Sequence, residues 1–387
     1  MRQPTVTRQP EDNAFFSFWV SRWARGCLTL HGASAALLLV IASFGVGCTV
    51  VSDATEAPRE SPQCPPDEGP SCSTVAWVGD TLLADAALPA LQENGYEYPF
   101  EFVEDLLLAD LTIGNAEGPI TVITEPYNEG QTWSYHADPE AASALASVGF
   151  DALSLANNHL NDRGPDGIVD TLFHLSEVGV ASFGGGLDRG EALAPFLFEA
   201  PAGLVAVFGF GKNSQWVPPA GTGAGQLLLS SNNITAAIEV ADSLEASFRI
   251  AFPHWGSNYS VVSQQQRDQA QLFIDAGFDL VIGHGPHNQQ GVEIIDGVPV
   301  LWSLGNFAFG TPGRWDDAFP GFGLVAHTEF GESGLEAITL TCLSTDNDIV
   351  QFQPRPCDTD IATEVIGALG DAVEVVDGLG QVMLTSP

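Results

Sequence analysis

The chain has 387 residues, of which 49 are acidic and 12 basic, for a formal net charge of −37 at pH 7. A surface this negative repels nucleic acid and anionic membrane faces and attracts divalent cations, so no nucleic acid is expected among its partners. The length leaves room for one large domain or two small ones.

The first 48 residues read as an export signal. Arg2, Arg8, Arg22 and Arg25 precede an apolar run over 33–46, and Cys48 follows Gly47. A basic region, an apolar core and a small residue before a cut site are what secretion requires. Small residues followed by cysteine resemble a bacterial lipobox, in which Cys48 is lipidated after cleavage. Gly45 stands where such boxes usually carry leucine. An uncleaved anchor is the alternative, although the run is short for a full span. Both readings attach the protein to a membrane and place its bulk in the cell envelope, outside the cytoplasm.

Residues 49–73 are rich in Pro, Glu, Asp and Ser and read as a flexible stalk. Four cysteines remain in the exported part: Cys64, Cys72, Cys342 and Cys357. The simplest pairing is two local disulfides, Cys64–Cys72 and Cys342–Cys357. No C-x-x-C pair offers a thiolate metal site.

From Thr74 the texture changes to a domain over 74–357. Short β-type runs at 75–78, 111–113, 152–155, 204–210, 248–252, 280–282 and 298–302 alternate with helix-like stretches. Those stretches are 100–109, 139–148, 167–178, 233–244 and 263–276, with Pro139 and Asp166 as helix-start residues. Strand then helix, repeated, predicts an α/β domain with a largely buried sheet. Residues 321–352 read as further strands and 360–376 as a last helix, within a helical extension over 358–387.

What ends the strands carries the chemistry. Asp80 follows the first run, Asn115 and Glu117 the second, and Asn157, Asn158, His159 and Asp162 the third. His254 follows the run at 248–252, His284 and His287 that at 280–282, and Asn306 that at 298–302. In open α/β sheets, sites form at the carboxyl ends of strands. Carboxylates, neutral imidazoles and amide carbonyls are ligands for borderline divalent ions such as Mn, Fe or Zn. Paired ions lower the pKa of water and clamp both oxygens of an in-line displacement. A lone Asp after a strand is more often a cap, and a lone His an ordinary surface or core residue. His136, His174 and His327 take that bland reading, and His31 belongs to the signal. The other four histidines sit together with Gly, Asn or Pro at strand ends, which favours a metal site.

The ordered motifs VGD, GNAE, LANNHLND, PHWG, GHGPH and SLGNF resemble the CapA (poly-γ-glutamate capsule synthesis) family over 74–356. That family is similar to calcineurin-type metallophosphatases, which implies a four-layer α/β/β/α sandwich and two divalent ions. The resemblance implies that Asp80 binds one ion and Glu117 bridges. Asn158 and His254 hold the other ion, and His284 and His287 complete the pair. It makes His159 the group that protonates the leaving group or stabilises the transition state, oriented by Asp162. Leu82 stands where metallophosphatases carry a histidine, and His284 and His287 are spaced more widely than the matching pair, so one ion is expected to bind weakly. Asn115, Asn157, Lys212 and Asn306 are candidates to hold substrate, and Arg163 is a further cation near the centre. Lys212 is the single lysine.

Three functions compete. The first is a metal-dependent hydrolase of phosphoester or amide bonds in capsule or surface-polymer assembly. The second is a non-catalytic factor that binds an anionic surface polymer through its ions, alongside capsule-synthesis membrane proteins. The third, a purely structural acidic lipoprotein, fits poorly with ligand residues at six strand ends. For the N-terminus, Cys48→Ala is expected to block lipidation and leave the precursor uncleaved by the lipoprotein pathway. Identical fractionation and lipid labelling of variant and parent would leave the simple anchor as the reading.

Overall fold

Residues 72–384 are described by a computed structural model. The apolar run, Cys48, residues 49–71 of the stalk and Cys64 lie outside them, and so does the expected Cys64–Cys72 pairing. Among the described residues no helix is long and apolar enough to cross a membrane.

Side chains alternate across a strand, so a strand apolar at every position must bury both faces. In strand Gly203–Gly211, Val205 and Val207 enter one apolar cluster while Ala206, Phe208 and Phe210 enter another. Two stacked sheets flanked by helices satisfy this demand. The first has ten strands, ordered Val373–Val376, Leu379–Val382, Gly334–Ser344, Phe322–Gly331, Ser73–Leu82, Leu111–Ala116, Ala152–Ser154 and Ala181–Phe183 along its main path. Asn306–Phe309 pairs in parallel with the end of Ser73–Leu82, and Arg355–Pro356 pairs with Gly334–Ser344. The second has six, ordered Val292–Ile295, Val298–Leu301, Leu280–Ile282, Phe248–His254, Gly203–Gly211 and Phe196–Ala200. The strands that supply the candidate ligands are parallel within each sheet, so their carboxyl ends share an edge.

Between the sheets, Val75, Trp77 and Ile113 meet Val207, Ile250, Phe252 and Ile282. The Trp77 and Phe252 rings lie 5.9 Å apart, and the indole donates to Thr328 Oγ1 at 2.9 Å. Burying a side chain of this size contributes about 1.5–3 kcal/mol. Helices Glu140–Ser147 and Gly164–Glu177 cover the outer face of the first sheet through Ala141, Leu145, Ile168 and Leu175. Helices Ser231–Ser243 and Gln264–Ala276 cover the second through Ile234, Ala237, Ala270 and Phe273. The last of these starts on a Ser263/Gln266 capping box and stops at Gly277, whose φ of 102° is left-handed. The result is the expected four-layer α/β/β/α sandwich.

Three elements differ from the sequence expectation, the first being that 321–352, expected as strands, holds the short helix Asn347–Val350 after Gly334–Ser344. The stretch 100–109 is not one helix but two 3-10 turns, Tyr98–Phe100 and Glu104–Leu107. Its apolar spacing is helical because Phe100, Val103 and Leu107 all point into the core. The last helix, Thr359–Gly367, ends well before residue 376. Gly370, at φ 117°, turns the chain, and the extension closes as a hairpin rather than a helix. Asp377 and Gly378 have φ of 51° and 80°, the two left-handed positions of a tight hairpin turn, and Leu379–Val382 joins Gly334–Ser344.

Cys342 and Cys357 form the expected disulfide, across a sequence separation of 15. Closing a loop of this size stabilises by about 2–4 kcal/mol. The Cys342→Ala, Cys357→Ala double variant is expected to lose stability in that range, read as a lower denaturant midpoint. An unchanged midpoint would show that the crosslink constrains nothing.

Candidate metal centre

Strand register assembles the centre. Asp80 pairs with Asn115 on one neighbour and Asn306 on the other. In the second sheet, His254 bridges to His284. Glycines permit the close approach. A Cβ at Gly79 would lie 1.9 Å from the Gly305 carbonyl oxygen, which here accepts the Asp80 N–H at 3.0 Å. A Cβ at Gly285 would lie 2.9 Å from the His254 ring, and its φ of 105° disfavours side chains. His287 itself takes a left-handed φ of 66°, a strained backbone of the kind that collects at functional sites.

The fully buried Asp80 carboxylate is held on all sides. Oδ1 accepts Asn115 Nδ2 and His284 Nδ1, each at 3.0 Å, and Oδ2 accepts Gly285 N–H at 3.0 Å with His287 Nδ1 3.4 Å away. Burial alone would raise its pKa, but the hydrogen bonds and charges of His284 and His287 hold it well below the usual carboxylate range. Burial pushes His254 down to about 4, leaving a neutral imidazole, the form that binds metal. Burial pulls His287 the same way, yet the Glu117 charge and the Asp80 hydrogen bond push it up to about 9.

Glu117 is different. Both its oxygens are buried without a hydrogen-bond partner, as are Nδ1 and Nε2 of His254 and Nε2 of His284. Each such atom costs about 1–3 kcal/mol if left unsatisfied. Glu117 Oε1 lies 3.5 Å from His254 Nε2, 3.6 Å from His287 Nε2 and 4.0 Å from His159 Nε2. Donors about 2.0–2.2 Å from one ion stand up to about 4 Å apart, so this spacing fits a shared ion. Two groups have donor atoms within 4.8 Å of one another: Asp80, His254 and His284, and Asp80, Glu117 and His287. Asp80 is common to both, and Glu117 lies against a histidine of each, so the two carboxylates together span the pair. The donor set fits divalent ions.

The remaining predicted residues divide. His159 Nδ1 lies 2.8 Å from Asp162 Oδ2; Asp162 also accepts Gln131 Nε2 at 2.6 Å and Tyr135 N–H at 2.7 Å. Asn158 is half-buried beside His159, with no hydrogen bond to its amide among the described residues. Leu82 is buried in the apolar cluster and offers no donor. Three of the substrate candidates are corrected: Asn115, Asn157 and Asn306 are buried behind the centre with their amides engaged. Asn115 bonds Asp80 and takes a bond from Asn157 Nδ2 at 3.1 Å. Asn157 also accepts His159 N–H at 3.0 Å, and Asn306 Oδ1 lies 2.9 Å from His287 Nδ1. Their amides are turned toward Asp80, the His159 N–H and His287. Lys212 donates to the Gly256 carbonyl at 2.9 Å; burial lowers its pKa while the Glu117 and Asp80 charges oppose that. Arg163 is bound to Ser134 Oγ at 2.7 Å and faces His136 Nδ1 at 3.0 Å. His174 and His327 lie outside the centre, the first 3.4 Å from Asp170 and the second 2.9 Å from the Leu106 carbonyl.

A cleft opens over the centre between His159 and His287, lined also by Tyr135, Tyr259, Phe309 and Arg314. Sequence reasoning missed the last three and the Gln131 and Tyr135 supports, because they lie on loops or at core positions with no strand-end motif. Arg314 was findable: cations are as scarce around it as around Lys212.

Two stacked sheets between helix layers, with a buried histidine–carboxylate cluster at their shared edge, define an α/β/β/α sandwich that carries a candidate metal centre. The chain belongs to the family of the bacterial capsule synthesis protein PGA_cap, whose model matches residues 74–311. It is 27% identical over 249 residues to the PGA biosynthesis protein CapA of Bacillus subtilis, a match covering 61% of this chain and 63% of that one. It is 28% identical over 250 residues to the capsule biosynthesis protein CapA of Bacillus anthracis, covering 61% and 59%. It thus spans about three fifths of these relatives' length. A probable polyglutamine synthesis accessory protein of Mycobacterium tuberculosis is 29% identical over 260 residues, covering 64% of this chain and 65% of that one. Among solved structures, a phosphatase from Mycoplasma pneumoniae aligns at 12% identity and TM-score 0.44, over 72% of this chain and 95% of that one. A 5'-nucleotidase precursor from Thermus thermophilus aligns at 12% and 0.43, over 72% and 55%.

With Leu82 in place of a histidine, the protein is expected to hold one divalent ion tightly and a second weakly. Elemental analysis after gentle dialysis should find the second substoichiometric. No transition metal under any loading condition would sink the assignment.

Proposed function

We propose that this protein is an exported, envelope-attached, metal-dependent hydrolase that cleaves a phosphoester or amide bond during assembly of an anionic surface polymer of the poly-γ-glutamate kind. The observation that carries the proposal is the convergence of His159 Nε2 and the unpartnered His254 and His284 nitrogens on the Asp80–Glu117 carboxylates. The names of the relatives supply the polymer, and the basic, apolar, Gly47-Cys48 pattern supplies the attachment.

Asp80, Glu117, His254, His284 and His287, with the Asn158 carbonyl, would hold the ions. Bound divalent ions supply Lewis-acid stabilisation of developing charge on oxygen. The chain's own part is acid–base. A carboxylate only accepts, so with Asp162 ionised the His159 ring donates through Nδ1 and leaves Nε2 facing the cleft. Nε2 delivers a proton to the leaving atom, and Asp162 stabilises the imidazolium before the transfer. Gln131 and the Tyr135 N–H fix the carboxylate, and the Tyr135 ring, 4.5 Å from the imidazole, limits its rotation.

His159→Ala is expected to keep its metal and lose about 10²–10⁴ in rate, the usual cost of removing a positioned acid. His254→Ala should lose metal as well. A screen of phosphoesters and amides on metal-loaded protein, with metal content measured in parallel, separates the two. Wild-type turnover by His159→Ala with metals in place would remove the hydrolytic role, and binding without turnover by every form would favour the polymer-binding factor.

A further inference from the structure

We infer that Arg314 recognises the anionic group of the substrate, holding a carboxylate or phosphate oxygen pair at the mouth of the His159–His287 cleft. The inference rests on the proposal that this cleft receives an anionic substrate.

Charge sets the problem. Asp80, Glu117 and Asp162 place three buried carboxylates in or beside the centre of a chain with net charge −37. An approaching anion needs a cation, and most described cations are engaged elsewhere. Arg249 pairs with Asp242 and Arg267 with Glu293, each at 2.8 Å. Arg163 is spent on Ser134 and His136, and Lys212 on the Gly256 carbonyl. Arg314 has no carboxylate ion pair among the described residues, and it lines the cleft.

Its neighbours prepare it for this role. The guanidinium carbon lies 4.8 Å from the centroid of the Tyr259 ring. That ring lies 5.9 Å from the His287 ring, and His287 Nε2 is 3.6 Å from Glu117. The Tyr259 ring is buttressed in turn by Trp315, 5.1 Å away in an edge contact. An aromatic platform fixes a guanidinium without consuming all of its donors. The Arg314 charge also pulls the Tyr259 phenol's pKa down against the rise that burial causes, and the five N–H donors of a guanidinium form a fork that matches carboxylate or phosphate. The geometry therefore runs from fork to platform to metal ligand along one wall of the cleft.

The test is calorimetric titration of the manganese-loaded full chain with inorganic phosphate and, separately, with a γ-linked glutamate trimer. Arg314→Gln is expected to weaken whichever anion the parent binds by about 10–100-fold, the range of a charge-assisted hydrogen-bond pair, with metal content unchanged. Arg314→Lys should recover part of the loss. Arg267→Gln, which removes an equal charge from an outer helix, should leave affinity as it was. Preference for phosphate identifies a phosphoester substrate, and preference for the trimer identifies the polymer carboxylates. Parent-like affinity in Arg314→Gln, or a parent that binds neither anion, overturns the inference. A parent that hydrolyses nothing yet loses anion binding in Arg314→Gln retains the Arg314 role and removes the hydrolase reading. Full activity with an unchanged KM in Arg314→Gln does the reverse.

Discussion

The centre depends on a single buried carboxylate that belongs to one sheet and is satisfied by both. Asp80 lies near the carboxyl end of strand Ser73–Leu82 in the first sheet and takes a bond from Asn115 beside it. Its other donors, the His284 ring and the Gly285 N–H, come from the second sheet. A buried charge is tolerated only when its lone pairs are met, so the two sheets have one favourable register at this edge. Gly79 and Gly285 serve the same close packing, because a Cβ at the first would strike the Gly305 carbonyl oxygen that accepts the Asp80 N–H, and one at the second would strike the His254 ring.

Polarity within the centre is layered. Three asparagines, fully buried and bonded to one another or to ligands, form a neutral shell that points Asp80, His159 and His287 without adding charge. Inside that shell, His254 and His287 are driven in opposite directions by the same surroundings. Both are desolvated and both lie near the two carboxylates, but His287 also gains hydrogen bonds to Asp80 and the Asn306 amide oxygen. Lys212, behind His254, opposes part of the negative field and further favours the neutral imidazole there.

Much of this was legible in the sequence. The strands at 75–78, 111–113 and 280–282 were visible as apolar β-type runs, and their terminal Asp, Glu and His residues fall where the sheets deliver them. Helix Gln264–Ala276 matches the helix-like stretch 263–276. Tertiary context supplied the rest. Asn115, Asn157 and Asn306 are polar residues at strand ends, as substrate contacts are, and only the sheet register shows that their amides point backward. The C-terminal hairpin was signalled by Val-Val-Asp-Gly but masked by a helical spacing of apolar residues just before it. Arg314 lies on a loop, where neither period nor motif marks a residue; only the scarcity of cations singles it out, and its place against Tyr259 in the cleft is a product of folding.

The separation between Asp80 and His284, 204 residues along the chain, has a further implication. Contacts this distant in sequence form late, after the loops between them have closed. No partial chain can therefore present the full donor set, and the ion is chosen wherever folding is completed. Under the export proposed above, that place would lie beyond the cytoplasmic buffering of metals. Nitrogen and oxygen donors follow the Irving–Williams order and bind copper and zinc more tightly than manganese or iron. The identity of a bound ion would then follow supply at the site of folding, and a copper- or zinc-rich medium would favour those ions over manganese or iron.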